Sequence, residues 1–285
     1  MSPGVYSPEH RAAVIDLARR CLLPEDAAEA EAIVATATHA PIGVVSEVDG
    51  QVAGVALASV GHKDPTAGHL DLLLVDPRHR RRGMARDLLT AVEGRLKQHG
   101  LKSIKVAGNP PDYAWPGVDV RYTAAVCALT ASGYNHERTA WNMTAPLPPP
   151  PPGDPEPGVE IRRATPADLP VLLPMINGEW GPAWQVEVER AVTGEGGVHV
   201  AWRAGQPVAF AAWGGCRPGW FGPMGTLPAA TGLGLGRILL RHCLADQAAR
   251  GLASAQIGWV GPVRFYSNAV DAHIERVFFL FAKEI

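Results

Sequence analysis

The chain has 285 residues, with 26 basic and 28 acidic side chains and a formal net charge of −2; this length suits about two domains, each able to bury a core. The charge is evenly split, 15 basic against 16 acidic in residues 1–145 and 11 against 12 afterwards, which argues against a nucleic-acid protein with its basic face. With no apolar run near the roughly 20 residues that span a bilayer, no signal-peptide pattern in MSPGVYSPEH and four scattered cysteines without a C-x-x-C, a soluble, reduced, cytoplasmic protein is expected.

Ser7-Pro8-Glu9-His10 offers a hydroxyl N-cap followed by proline, so a helix is expected to about residue 22. A second helix is expected over 25–36. Ile42–Val48 and Gln51–Val60 flank Asp49-Gly50, a two-residue hairpin turn. Residues 70–75 read as a strand that enters a glycine-containing loop. The helix after it carries Met84, Leu88, Val92 and Leu96 at i, i+4 spacing, one buried stripe. Gly100 caps its end, and Ser103–Val106 reads as the next strand. Residues 146–157 (PLPPPPPGDPEP) form the one low-complexity segment. Consecutive prolines favour a semi-rigid polyproline rod, so the segment reads as a linker between domains at 1–145 and 158–285.

The second half repeats the order. Thr165-Pro166-Ala167-Asp168 starts a helix to about 176, and another is expected near 185–192. Strands at 199–203 and 207–213 flank Ala204-Gly205. A strand at 222–226 enters a second glycine-rich loop, followed by a helix with Leu235, Leu239 and Cys243 on its apolar stripe. Gly251 caps it, 255–260 reads as a strand, and 277–282 suits a buried strand. Each half is thus helix, helix, hairpin, strand, loop, helix, strand, helix, strand. A strand–helix–strand unit after a hairpin implies a mixed, mostly antiparallel sheet with one parallel pair. The fold class is α/β (α+β), in two tandem copies.

Identities at constant offset support the duplication: Pro77/Pro228, Gly83/Gly234, Arg86/Arg237, Leu88/Leu239, Leu89/Leu240, Gly100/Gly251, Leu101/Leu252 and Ser103/Ser254. The loops read Arg80-Arg81-Arg82-Gly83-Met84-Ala85 and Thr231-Gly232-Leu233-Gly234-Leu235-Gly236, sharing x-x-x-G-x-(G/A). Small residues let backbone approach an anion, and the helix N-terminus behind them adds partial positive charge. G-x-x-x-x-G-K-(S/T) is absent, and Gly232-x-Gly234-x-Gly236 is not G-x-G-x-x-G.

These loops, with the strand before and the helix after, resemble the acetyl-CoA site of the GNAT acetyltransferase superfamily, whose loop reads (Q/R)-x-x-G-x-(G/A). Arg80, Gly83 and Ala85 fit it fully. Gly234 and Gly236 fit, with Thr231 in place of the usual Gln or Arg. The order of elements is similar too, and mycothiol synthase is one known tandem arrangement. The resemblance implies that the amides of Arg80, Arg81, Arg82, Gly83, Met84, Ala85 and Arg86, and of Thr231, Gly232, Leu233, Gly234, Leu235, Gly236 and Arg237, hold the pyrophosphate of acetyl-CoA. It also implies that Leu74, Val75, Gly225 and Thr226 bond the pantetheine arm. The run Arg78, Arg80, Arg81, Arg82 reads either as a solvated loop or as a partner for the 3′-phosphate of CoA.

Family members often protonate the leaving thiolate from a Tyr in Tyr-x-x-x-Gly-Phe. Tyr266 stands there in the second half, with Asp271-Ala272 replacing Gly-Phe after one extra residue. In the first half Gly133-Tyr134 matches, but Leu129 occupies the Tyr position and Tyr122 lies two turns earlier. Carboxylates for a general base, Asp71 and Asp76, occur in the first half; the second offers Glu179 near the acceptor region. The expectation is therefore an acetyl-CoA-dependent N-acetyltransferase with a catalytic C-terminal copy, Tyr266 as acid and Glu179 as candidate base. Its acceptor would be a small amine-bearing molecule or peptide, without nucleic acid, membrane or metal, and a homodimer is compatible with it. The alternative is a non-catalytic CoA-binding sensor or assembly module. An aminoacyl transferase using charged tRNA is opposed by the near-neutral charge. Trp180, Trp184, Trp202, Trp213, Trp220 and Trp259 suit an apolar acceptor groove or a core equally.

Overall fold

A computed structural model describes residues 3–285. The chain forms two compact units, one reaching to Ala140 and taking in Val277–Ile285, the other being Trp141–Arg276. In chain order the strands are β1 Gly4–Val5, β2 Ile42–Val48, β3 Gln51–Val60, β4 Ala67–Val75, β5 Ser103–Val106, β6 Val118–Asp119, β7 Asn135–Pro146, β8 Val159–Arg163, β9 Gly197–Arg203, β10 Gln206–Trp213, β11 Trp220–Thr226, β12 Ser254–Ile257 and β13 His273–Glu284. The helices are α1 Arg11–Cys21, α2 Pro24–Ala27, α3 Ala30–Ala37, α4 Met84–Gln98, α5 Thr123–Ala131, α6 Leu169–Trp180, α7 Pro182–Thr193, α8 Leu235–Ala249 and α9 Val263–Val270.

In the first unit β1, β2, β3 and β4 pair antiparallel. β4 then pairs parallel with β5, and β5 pairs antiparallel with residues 281–284 of β13. Asp49 and Gly50 both take positive φ, 51° and 73°, which is the hairpin turn their sequence called for. One sheet face buries Ile42, Val44, Ala56 and Leu70 under Leu88, Leu89, Val92 and Leu96 of α4. The other buries Val45, Val55, Leu57, Leu72 and Leu74 under α1 and α3. β4 is apolar on both faces because helices cover both.

The second unit repeats this design. β8, β9, β10 and β11 are antiparallel, β11 pairs parallel with β12, and β12 pairs antiparallel with residues 143–146 of β7. α8 and α9 cover one face and α6 and α7 the other. The expected mixed sheet with one parallel pair is present twice. The last strand of each unit, however, comes from the far half of the sequence: 277–285 closes the first and 141–146 closes the second. The proline-rich residues 147–157 carry no helix or strand, and Arg241 Nη1 donates to the Pro151 carbonyl at 3.0 Å. Among the described residues no helix is long and apolar enough to cross a membrane.

Candidate active site

In the first unit the parallel pair is short. β4 meets β5 only at Ala67–His69 against Ser103–Lys105. Beyond it a cleft of about 1080 Å³ is lined by Leu70–Val75 on one wall and by Val106, Ala107 and Gly108 on the other. His69 Nδ1–H donates to the Ala107 carbonyl at 3.0 Å and pins the point of divergence; burial holds this imidazole below its ordinary pKa, hence neutral.

The loop end of the cleft is built by Asp76 and two left-handed residues. Asp76 caps the short turn Pro77–His79, accepting from Arg78 N–H at 2.9 Å, Nε at 3.0 Å and Nη2 at 2.9 Å. Those bonds hold its carboxyl well below the usual range against the opposing cost of burial. Arg78 is thereby engaged, and Asp76 supports the loop rather than the chemistry. Arg81 and Gly83 then take φ of 63° and 88°, as Gly232 and Gly234 take 91° and 71° in the second unit. The two loops share one backbone path, and the first unit spends an arginine where the second has glycine. Neither α4 nor α8 has a side-chain cap, so the first amides of each helix lack the usual intrahelical or side-chain acceptor. Arg80, Arg81, Gly83, Met84, Ala85 and Arg86 line the cleft with Leu74 and Val75; Arg82 is absent from its lining. The Val75 carbonyl already accepts from Arg80 Nε at 3.0 Å and Cys21 Sγ at 3.4 Å.

Farther along β4 the register slips. Leu57 faces Leu72 and Ala58 faces Leu70, so Asp71 is the extra residue of a bulge. A bulge re-aims its side chain, and Asp71 lines the cleft. Burial pushes its carboxyl up to about 8; the charge of Asp112 adds to this and a bond from Ser59 opposes it. Asn109 organises the surroundings. Its Nδ2 donates to Ser59 Oγ and the Val60 carbonyl, both at 3.0 Å, and its Oδ1 accepts from His62 N–H at 2.9 Å. Asn109 fills an acceptor position of Ser59, leaving the Ser59 proton for Asp71. On the far wall Tyr122 O–H donates to the fully buried Asp26 at 2.8 Å and accepts from Leu23 N–H at 3.0 Å. Trp115 Nε1 also donates to Asp26, at 3.3 Å. Arg121 is clamped by Asp119 and Glu25, each at 2.8 Å.

The second unit places its predicted residues differently. Tyr266 is buried on α9, with its ring 6.2 Å from Phe221 and 5.0 Å from Phe265, and burial raises its phenol. Glu179 is exposed on α6. Trp180 packs on the strand expected to hold pantetheine: a Cβ on Gly225 would lie 2.5 Å from its ring. Met224 and Phe265 crowd Gly236 similarly, at 3.2 and 3.5 Å from a Cβ there. Thr231 Oγ donates to the Leu227 carbonyl at 3.4 Å. The loop of this unit keeps its shape while its own side chains pack the strand and helix beside it.

Asp112, Asn109, Ser59 and Asp26 carried no sequence signal, being common polar residues in loops or strand ends. Asp71 carried one: it is the lone acid in the apolar run Leu70–Val75. Among the described residues no group of His, Cys, Asp and Glu could hold a metal.

Residues 11–114 match the acetyltransferase (GNAT) family. No curated protein sequence matches the chain. Solved structures are similar over 99% of it: the GCN5-related N-acetyltransferase from Sphaerobacter thermophilus, at 18% identity, TM-score 0.71 and 95% of that chain; and a tandem GNAT protein from the clavulanic acid biosynthesis pathway, at 14%, 0.73 and 97%. The glucosamine N-acetyltransferase region of a fungal multi-domain beta-N-acetylglucosaminidase matches at 16% and 0.77, the chain spanning 38% of that protein's length. These identities establish fold, and the family match lies in the unit that holds the cleft. The match to the GNAT acetyltransferase family thus covers residues 11–114, within a chain whose fold is similar to that of a tandem GNAT protein.

Proposed function

We propose that the protein transfers an acetyl group from acetyl-CoA to a primary amine, and that the cleft of the first unit does this. The carrying observation is one strand that presents two functions. Its end leads into the loop read as anion-binding, and its bulge turns a half-buried carboxyl, Asp71, into the same cleft. The loop fits a pyrophosphate. Its amides are uncapped, and Gly83 leaves the anion room that a Cβ, 3.4 Å from Arg86 Nη2, would restrict. Arg81 and Arg86 supply charge beside it. This moves the chemistry from Tyr266 and Glu179 of the second unit, one buried among aromatics and the other exposed, to Asp71.

Acetyl-CoA supplies an activated acyl group as a thioester. Asp71 takes a proton from the acceptor's ammonium, freeing the nitrogen lone pair. The C–N bond forms as the C–S bond breaks, sulfur leaves with the electron pair, and the acylated nitrogen gives its surplus proton to water to become the neutral amide. Leu129, where a phenol would stand, is fully buried and has no proton to give, so water protonates the thiolate. None of the four cysteines forms a disulfide, which suits a reducing compartment such as the cytoplasm.

Calorimetric titration with acetyl-CoA, coupled to thiol release across an amine panel, tests the reading. One site per chain, lost in Gly83→Glu and retained in Gly234→Glu, is expected. Binding lost only in Gly234→Glu would return the site to the second unit. Binding without thiol release for any amine would leave a CoA-binding module.

A further inference from the structure

The polar atoms along one wall of the first unit's cleft are turned inward on the protein. Leu22, Leu23, Trp115 and Tyr122 line that wall. Asp26, fully buried on α2, accepts from Tyr122 O–H at 2.8 Å and from Trp115 Nε1 at 3.3 Å. The Tyr122 hydroxyl in turn accepts from Leu23 N–H at 3.0 Å. Thr36, also in the lining, donates from Oγ1 to the Ala32 carbonyl at 3.0 Å. Ring and hydrocarbon are what these residues leave for the cleft. The charged side chains nearby are likewise held within the fold. Arg121 lies between Asp119 and Glu25, 2.8 Å from each, and Asp112 Oδ2 lies 3.1 Å from His62 Nε2. The wall stands close to the base. Leu22 and Trp115 pack against the cluster that contains Leu72 and Leu74, and Leu72 follows Asp71 directly on β4.

Resting on the acetyltransferase reading above, we propose that the acceptor is an apolar primary amine whose amino group is its only charge: an aromatic ring on a short chain, with the nitrogen beside Asp71 and the ring against Leu22, Leu23 and Trp115. A carboxylate, a phosphate or a second ammonium on the body of the acceptor would lose its water against hydrocarbon, or would have to break an ion pair that the fold already holds. An aromatic ring gives up little hydration there and gains offset or edge contact with the indole of Trp115. The adjacency of Asp71 and Leu72 sets the short spacing between ring and nitrogen. The state of Asp71 agrees with such a wall, because burial is the largest cause that raises its carboxyl, the mark of a site poor in water. The wall therefore selects by the polar partners it does not offer.

Three amines that share an aminoethyl group separate the possibilities: 2-phenylethylamine, ethylamine and 4-(2-aminoethyl)benzoate, which carry a ring, no ring, and a ring with an anion. Thiol release from acetyl-CoA should give 2-phenylethylamine a kcat/KM about tenfold or more above each of the others. Leu22→Asn and Leu23→Asn, close to leucine in shape but polar on the wall, should each cut its advantage over ethylamine to about threefold or less. Trp115→Phe should keep most of that advantage, since a ring remains. The wild-type comparison decides without any variant. Equal turnover of 2-phenylethylamine and ethylamine, equal turnover of the ring amine and its carboxylate, or an advantage that survives both Asn variants would overturn the inference, and thiol release with other amines would then leave the acetyltransferase reading standing. No thiol release with any amine, these three included, would refute both.

Discussion

Asp71→Asn isolates the chemistry of the cleft from its architecture, because asparagine keeps the shape and a hydrogen-bonding oxygen for Ser59. With a carboxyl at about 8, roughly a tenth of the wild-type molecules carry an ionised Asp71 at pH 7. Wild-type kcat/KM should therefore climb about tenfold per pH unit up to 8 and then level. Loss of a general base costs on the order of 10²–10⁴ in rate, so the variant should trail by that factor at pH 9 and by less at each unit below 8. Measuring both proteins with one acceptor cancels the acceptor's own titration from the ratio. The same group makes a prediction about stability. A carboxyl raised from 3.8 to about 8 stays protonated in the folded state while the unfolded chain ionises. Stability present below pH 4 is thus lost as pH rises to 8, at 1.36 kcal/mol per unit, up to about 6 kcal/mol in all. Urea melts should show Asp71→Asn nearly neutral at pH 4 and more stable than wild type at pH 9. A rate ratio independent of pH, or a variant less stable than wild type at pH 9, would refute the assignment.

Gly83→Ala forces a side chain into a φ of 88°, at about 1–2 kcal/mol. Acetyl-CoA affinity should fall about 5- to 30-fold by calorimetry, while Gly234→Ala, equally strained, leaves it unchanged. Leu129→Ala, in a fully buried site within the core that α4 also packs into, should cost about 2–5 kcal/mol in urea denaturation. Asp76→Ala should destabilise at pH 7, because a carboxyl held low contributes stability above its ordinary pKa and loses it as pH falls. Thermal melts at pH 7 and pH 2 should show the gap closing.

The elements were legible because each has a local cause. Asp49-Gly50 and Ala204-Gly205 sit at positive φ in both hairpins. Gly100 and Gly251 sit at 79° and 81° where the helices end, and the stripe of Met84, Leu88, Val92 and Leu96 packs on the sheet as spaced. The proline-started helices begin as short 3-10 turns at Pro8–His10 and Pro166–Asp168 before α1 and α6, and the helix expected over 25–36 is two pieces, α2 and α3. The site was legible only in part. The loop pattern predicts one backbone path in both copies, and Arg81 and Gly83 share it with Gly232 and Gly234, because a backbone path survives when side chains change. What differs is packing: Trp180, Met224 and Phe265 against the second copy, a bulge and Asn109 in the first. A bulge is a slip of one residue between two strands far apart in sequence, so no reading of β4 alone contains it. The identity of the closing strands was hidden for a similar reason. β7 reads NHERTAWNMTAP and β13 HIERVFFLFAKE, and nothing in either strand's own residues says which of β5 and β12 it pairs with.

That exchange of closing strands bears on how the protein is made. When residues 3–140 have left the ribosome, Val277–Ile285 do not yet exist, and β5 has no partner on its outer side. At ordinary rates of synthesis the gap lasts on the order of ten seconds. During it the nascent first unit presents an open strand edge beside a hydrophobic layer of Leu89, Ile104 and Val106, the kind of edge that recruits other chains. Translation speed through residues 141–276, and the chaperones that attend it, should therefore govern the yield of native protein more than the stability of either finished unit does.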